Sequence, residues 1–295
     1  MINMNIDVFT LIKPEMNKLS KVGIKSANLD CRLLLSKSID TDKILYNHQN
    51  INISENEIKN FQSLVEQRLN GKPISRIINK RDFWKHEFKL NEETLDPRPD
   101  SETLIDSVLE HYKNESKSLK ILDLGSGSGC LGLSLLDEYQ NSEVSFFDTS
   151  KKSLEVVKIN ALNHGVFDRS KFVHLDWRVK GWDTNLIKIE DQIKFDIVIS
   201  NPPYIPTNDI KTLQTEVKKY DPFIALNGGY DGLDSYRFVI PKLRKIIKNN
   251  GKVFLEIGKG QENFISSKAK EHSLSPIEYK KDLSGVCRVL VFIVK

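Results

Sequence analysis

Two stretches of this chain carry residue types and spacings that an ordinary core has no use for. The first is DLGSGSG at 123–129, where an apolar run ends in glycines at 125, 127 and 129 with Ser126 and Ser128 between them. Glycines so spaced let the backbone turn tightly and bring bare N–H groups and Cα atoms against a ligand that any side chain would displace. Asp148 closes the next apolar run, where a carboxylate accepts hydrogen bonds from ribose hydroxyls. Asp176 and Trp177 follow a third run and offer an acid for an exocyclic amine and an indole to pack on its ring. The second stretch, VISNPPYIP at 198–206, stops a further apolar run on Asn201 and backs it with Pro202, Pro203 and Tyr204. Prolines fix φ and donate no N–H, so the carbonyls of this turn and the side-chain oxygen of Asn201 form a stiff set of acceptors. Such a set grips both hydrogens of a planar NH₂ group, with Tyr204 packing on its flat face.

That chemistry has a use. An amide or aromatic-amine nitrogen is a poor nucleophile because its lone pair is delocalised. Accepting hydrogen bonds from both N–H groups raises electron density on nitrogen and favours pyramidalisation as positive charge develops. No strong general base is needed, and alignment alone contributes up to roughly 7 to 11 kcal/mol. The glycine loop and Asp148 by themselves fit a dinucleotide or a nucleoside cofactor equally. Two details favour S-adenosylmethionine over NAD. The spacing is G-x-G-x-G, with Cys130 in the third position of the dinucleotide fingerprint. Asp123, just before the loop, would repel a pyrophosphate but suits a cationic amino-acid portion. The bland alternatives are a tight strand-to-helix turn, a Trp177 that merely packs, and a proline-stiffened loop capped by Asn201.

These residues need elements to hold them. From 119 onward apolar runs of strand length alternate with helical periodicity, which argues for a mostly parallel sheet covered on both faces. The expected strands are 119–124, 143–148, 171–176, 195–200, 252–257, 276–281 and 287–294; SKKSLEVVKINALNHG is a helix burying Leu154, Val157, Ala161 and Leu162. Upstream, DPRPDSETLIDSVLEHY reads as a helix capped by Asp100 or Ser101, with Leu104, Ile105, Val108 and Leu109 on its buried stripe. Residues 82–95 alternate like a β-hairpin. Everything before about 78 looks helical: Ser54 and Glu57 form a capping box ahead of Ile58, Phe61, Leu64, Val65 and Leu69, and Leu29, Leu33 and Leu34 mark a second amphipathic helix. The expected division is 1–78, a helical domain; 79–96, a hairpin linker; and 97–295, an α/β domain.

Composition sets the outer limits. At 295 residues the chain is long for one core. Its 39% hydrophobic and 28% charged residues are those of a globular protein, and no apolar run approaches membrane length, so a cytoplasmic protein without signal peptide or membrane contact is expected. A net charge of +4 makes no demand for nucleic acid. Cys31, Cys130 and Cys287 are scattered and the six histidines form no ligand pair, so neither disulfide nor metal is expected.

Taken together these motifs resemble the protein-(glutamine-N5) methyltransferases that modify peptide chain release factors. Besides DLGSGSG, FFDTS, HLDW and FDIVISNPPYIP, the chain has GKPISRI, DPRPDSETLIDSVL, YDPFIALNGGYDGLDSYR, GKVFLEIGKGQ and DLSGVCRVL in that family's order. The resemblance implies a seven-stranded Rossmann-like class I methyltransferase domain, its last strands including an antiparallel one, preceded by a small helical bundle and a β-hairpin linker. It implies S-adenosylmethionine held by Gly125 to Gly129 at its methionyl part, by Asp148 at its ribose and by Trp177 near its adenine. It implies a glutamine side chain, from the Gly-Gly-Gln loop of class-one release factors, bound by Asn201, Pro202, Pro203 and Tyr204, with the helical domain docking on that factor; separately, a monomer is expected. RIINKRDFW, Asp96 and Asp221 depart from the family pattern and bear on the hairpin and substrate-side loops. NPPY alone is shared with adenine-N6 methyltransferases of DNA and RNA, and a non-catalytic cofactor-binding adaptor is a third reading; the weak net charge and the absence of a basic target-recognition region count against the first of these.

Overall fold

The computed structural model describes residues 3–113 and 118–294. Its chain forms two compact units, Met1–Lys80 with Thr215–Tyr220, and Arg81–Gln214 with Asp221–Lys295.

The first unit holds helices α1 (Val8–Lys21), α2 (Ala27–Ser38), α3 (Glu55–Leu69) and α4 (Ile74–Ile78) around Val8, Ile12, Leu34, Phe61 and Val65. The Ser54–Glu57 capping box forms as expected, Ser54 N–H donating to Glu57 Oε2 at 2.7 Å and Glu57 N–H to Ser54 Oγ at 3.3 Å. Two expectations are corrected. The unit is not all helical: β1 (Asn3–Asp7) pairs antiparallel with β2 (Asn50–Ser54), where NINIS alternates and buries Ile51 and Ile53 on one face. Leu29 is exposed, and α2 instead buries Asp30, which pairs with Arg68 at 2.8 Å.

The second unit opens with the hairpin strands β3 (Lys80–Phe83) and β4 (His86–Lys89), shorter than the alternation of 82–95 suggests. Then come α5 (Glu102–His111), β5 (Lys120–Leu124), α6 (Cys130–Glu138), β6 (Glu143–Asp148), α7 (Lys151–Asn163), β7 (Ser170–His174), α8 (Trp182–Ile189) and β8 (Phe195–Ser200). Short helices α10 (Phe223–Leu226), then α11 (Asp234–Ile246), β9 (Ile247–Glu256), α12 (Glu262–Glu271), β10 (Leu274–Lys281) and β11 (Cys287–Val294) complete it; α9 (Thr215–Tyr220) belongs to the first unit. All seven expected strands are present, and they form one sheet in the order β10-β11-β9-β8-β5-β6-β7. Strands β5 to β9 run parallel, and β11 is reversed against both β9 and β10. One hydrophobic cluster gathers α5, α6 and α7 on one face; another gathers α8, α11 and α12 on the other.

The strand order reverses between β5 and β8. At such a switch point the connections leave in opposite directions and a crevice opens beyond the strand carboxyl ends. DLGSGSG leaves β5 and NPPY leaves β8, so both motifs sit at that crevice. Two local expectations fail here. Neither Asp100 nor Ser101 caps α5 with its side chain, because a short 3₁₀ turn over Pro99–Ser101 precedes the helix. On α7, Leu162 faces solvent and Asn160 is fully buried in its stead. No helix among the described residues is long and apolar enough to cross a membrane.

Candidate active site

The crevice is a cavity of about 580 Å³, within the roughly 300 to 1,000 Å³ usual for small-molecule sites. Gly125, Ser126, Gly127, Ser128, Asp148, Trp177, Asn201 and Pro203 are on its wall. The loop turns through positive φ at Gly125 (+83°), Gly127 (+54°) and Gly129 (+81°), a region that costs any other residue about 1 to 2 kcal/mol. Gly125 has a second constraint, since a Cβ there would stand 2.9 Å from Cη2 of Trp177. That indole stacks parallel to Phe147, the ring centroids 6.1 Å apart. A Cβ on Gly127 would meet nothing within 4 Å, so this turn of the backbone lies bare to the cavity. Gly129 packs against Val157 instead and is off the wall.

Asp148 accepts from Gly127 N–H at 2.9 Å and from Ser150 N–H at 2.8 Å. Burial raises its pKa, and these backbone donors oppose that rise. Thr149 N–H is a third backbone donor to this carboxylate, which leaves it one lone pair for a ligand hydroxyl. Asp176 has its carboxylate engaged by Arg178 through three side-chain hydrogen bonds, which hold its pKa low. Asp123 is not the cavity charge anticipated. It is 1% exposed, it accepts from Gly132 N–H at 3.0 Å beneath α6, and burial pushes its carboxyl up to about 7.

The NPPY turn divides its residues between the wall and the structure behind it. Asn201 and Pro203 line the cavity, while Pro202 is buried and Tyr204 packs against the core. Pro203 carbonyl accepts from Ser235 Oγ at 2.9 Å and Tyr204 carbonyl from Gln261 Nε2 at 2.9 Å, so each already has one donor. Asn201 Nδ2 donates to Ser101 Oγ at 3.1 Å, which leaves Oδ1 as its open end. The Tyr204 hydroxyl donates to Glu256 Oε1 at 3.2 Å, away from the wall. Tyr204 is thus set behind the wall by its phenol, which the buried carboxylate of Glu256 holds.

Sequence reading missed the residues that brace these motifs. Asn160 of α7 donates to Ser128 carbonyl at 2.9 Å and to Lys89 carbonyl at 3.1 Å, and accepts from Lys89 N–H at 2.8 Å, tying the glycine loop to the hairpin. Gly232 passes so close to the turn that a Cβ would stand 2.3 Å from Tyr204 carbonyl. Gln261 Nε2 also reaches Gly232 carbonyl at 3.2 Å. The advance signal for Gly232 and Gln261 was that GGYDGLDSYR and GKGQ recur among the family motifs; Asn160 had none.

Comparison with known proteins bears directly on this site. Residues 16–78 match the PrmC N-terminal domain and residues 99–219 the methyltransferase small domain. A release factor glutamine methyltransferase of Agrobacterium fabrum is 33% identical over 93% of this chain and 93% of its own length. One from Clostridium botulinum is 33% identical over 92% of this chain and 94% of its own. The chain belongs to the release factor glutamine methyltransferase family. A bifunctional methyltransferase of Rickettsia felis is 34% identical over 98% of this chain, which spans 58% of that longer relative. Two of this member's departures from the family pattern meet each other: Asp96 N–H donates to Asp221 Oδ1 at 3.3 Å, and Asp221 Oδ2 takes the guanidinium of Arg98, a residue of the cavity wall.

Proposed function

We propose that this protein transfers a methyl group from S-adenosylmethionine to the side-chain amide nitrogen of the glutamine in the Gly-Gly-Gln motif of class-one release factors. The observation that carries the reading is the open Oδ1 of Asn201 on the wall of the same cavity that the bare glycine loop lines. The cavity fits the cofactor: its volume is sufficient, Gly127 leaves a cradle that a side chain would fill, Ser126 Oγ is buried with no partner among the described residues, and Asp148 has a lone pair to spare. Gly125 to Gly129 would hold the methionyl part, Asp148 the ribose and Trp177 the adenine side. The bound cofactor supplies an electrophilic methyl on a sulfonium.

The chain's own part is to orient the amide. Asn201 Oδ1 would accept from one N–H group and Pro202, buried just behind the wall, would offer its carbonyl to the other, which concentrates the nitrogen lone pair and stabilises the positive charge that grows on it. As the S–CH₃ bond gave way to the new N–CH₃ bond, the sulfonium would become a neutral thioether and the surplus proton of the amide nitrogen would pass to solvent. Pro203 and Tyr204 hold the turn rigid. Residues 1–78 would dock on the release factor, with 79–96 as linker to the catalytic domain 97–295, and the enzyme would act as a monomer in the cytoplasm without binding nucleic acid directly.

Incubation with methyl-labelled S-adenosylmethionine tests this. Label should enter a release factor but not the same factor with its loop Gln replaced. Label entering DNA or RNA but not the factor would replace this reading with an adenine methyltransferase; cofactor binding with label in neither would leave an adaptor. Light scattering on the same sample tests the monomer.

A further inference from the structure

Resting on the function just proposed, a deeper layer of the site remains to be assigned. An Asn side chain has a donor end and an acceptor end of nearly the same shape, and only its partners decide which end faces where. Ser101 Oγ, the partner of Asn201 at 3.1 Å, is itself both donor and acceptor. Ser101 alone is therefore compatible with either orientation of the Asn201 amide. The choice is made one residue further back. Glu256, at the end of β9, is 1% exposed and is not on the cavity wall. Its Oε1 takes the Tyr204 hydroxyl at 3.2 Å, and its Oε2 makes no hydrogen bond of ordinary length among the described residues. The Ser101 hydroxyl is close enough to Glu256 to oppose the rise that burial imposes on its carboxyl, which reaches about 7.

We infer that Glu256 is a positioning residue for the transfer, acting through Ser101 to fix the Asn201 amide with its oxygen towards the cavity. In its ionised form, gained as pH rises through about 7, the carboxylate can only accept. It draws the Ser101 proton to Oε2, so Ser101 Oγ can only accept from Asn201, Nδ2 turns inward and Oδ1 is left for the substrate NH₂. The same carboxylate holds Tyr204, so one buried charge sets both ends of the NPPY turn. A fully buried carboxylate oxygen is costly unless a donor reaches it, and the Ser101 hydroxyl is the donor at hand. The charged and titratable groups facing Glu256 are Tyr204 and Tyr236, Cys130, Asp100, and Arg288, whose guanidinium pairs with Asp100 and Asp282 at 3.1 Å.

Glu256→Gln is the discriminating variant, since it keeps shape and removes charge. With its acceptor on Tyr204, the new NH₂ faces Ser101, the Ser101 proton turns to Asn201 Oδ1, and the Asn201 donor end swings to the cavity. The expected result is a loss in kcat on the order of 100-fold, as for removal of one transition-state hydrogen bond. KM for the release factor and affinity for S-adenosylhomocysteine should stay near wild type. Ser101→Ala should lose kcat similarly and Ser101→Thr should recover most of it, a pair that decides the matter if Glu256→Gln does not fold. A second readout needs no turnover: a nuclear Overhauser contact between the Asn201 side-chain NH₂ and the Ser101 β protons, present in wild type and lost in Glu256→Gln. Wild-type kcat in Glu256→Gln or in Ser101→Ala, or absence of that contact in the wild type, overturns the inference. A wild type that shows the contact but methylates no release factor overturns the proposed substrate instead.

Discussion

The side-chain nitrogen of Asn201 rests on the hydroxyl of Ser101, a residue 100 positions earlier in the chain, at 3.1 Å. This contact joins the turn after β8 to the entrance of α5, and it occupies the nitrogen end of Asn201, leaving Oδ1 to meet a substrate. If that atom is the acceptor for the reacting amide, Asn201→Ala should lower kcat about 10² to 10³-fold. Affinity for S-adenosylhomocysteine, measured by calorimetry, should hold. Transfer near the wild-type rate would remove Asn201 from the chemistry.

Gly125 is under two constraints at once, positive φ and the Trp177 indole 2.9 Å from where its Cβ would be. Gly125→Ala should therefore cost about 1 to 2 kcal/mol from backbone strain and more from the clash. Trp177→Ala removes only the clash. In a double-mutant cycle the loss from Gly125→Ala should shrink in the Trp177→Ala background, and purely additive melting data would show that the indole does not limit the loop.

Asn160 makes three hydrogen bonds from a fully buried position, two to the hairpin backbone and one to the glycine loop. Each such bond contributes about 1 kcal/mol net, and groups stranded by its loss cost more. Asn160→Ala should destabilise the protein by roughly 2 to 4 kcal/mol in urea titrations, on that accounting. It should also weaken S-adenosylhomocysteine binding, because Ser128 loses its anchor. Loss of stability at unchanged affinity would uncouple the brace from the loop.

Asp123 gives a pH dependence with a definite sign. Burial lifts its carboxyl from 3.8 to about 7 in the folded protein. Between those values the native state keeps a proton that the unfolded chain has released. Its contribution is thus full below about pH 4 and is lost as pH rises towards 7. Asp123→Asn cannot titrate and keeps an acceptor for Gly132 N–H. The variant should gain stability relative to wild type between pH 5 and pH 8, with the raised carboxyl of Glu256 cancelling because both proteins contain it. A stability difference that stays flat or falls over that range would place the ionised form in the native state.

Much of the framework was legible because it is written in neighbouring residues. Strand identity follows from short apolar runs, the capping box from Ser54 and Glu57, and the glycine loop from positions where positive φ excludes a side chain. Asn201, Asp148 and Trp177 reach the cavity because they stand just past strand ends, and strand ends that share a direction share an edge of the sheet. Where periodicity misled, as at Leu29 and Leu162, the helix had a buried polar bond to satisfy, and Asp30 and Asn160 took the inner positions.

The sequence by itself determined the motifs and their order, because turns, caps and runs depend on residues a few places apart. Only the tertiary structure decided that Ser101 would meet Asn201, that Glu256 would hold Tyr204 off the wall, and that Asp123 would point away from the ligand space. Those partners are brought together by the strand order, which puts β8 between β5 and β9. Local hydrophobic spacing carries no record of which strand lies beside which, so the hydrogen bonds that orient the site could not be read until the sheet was assembled.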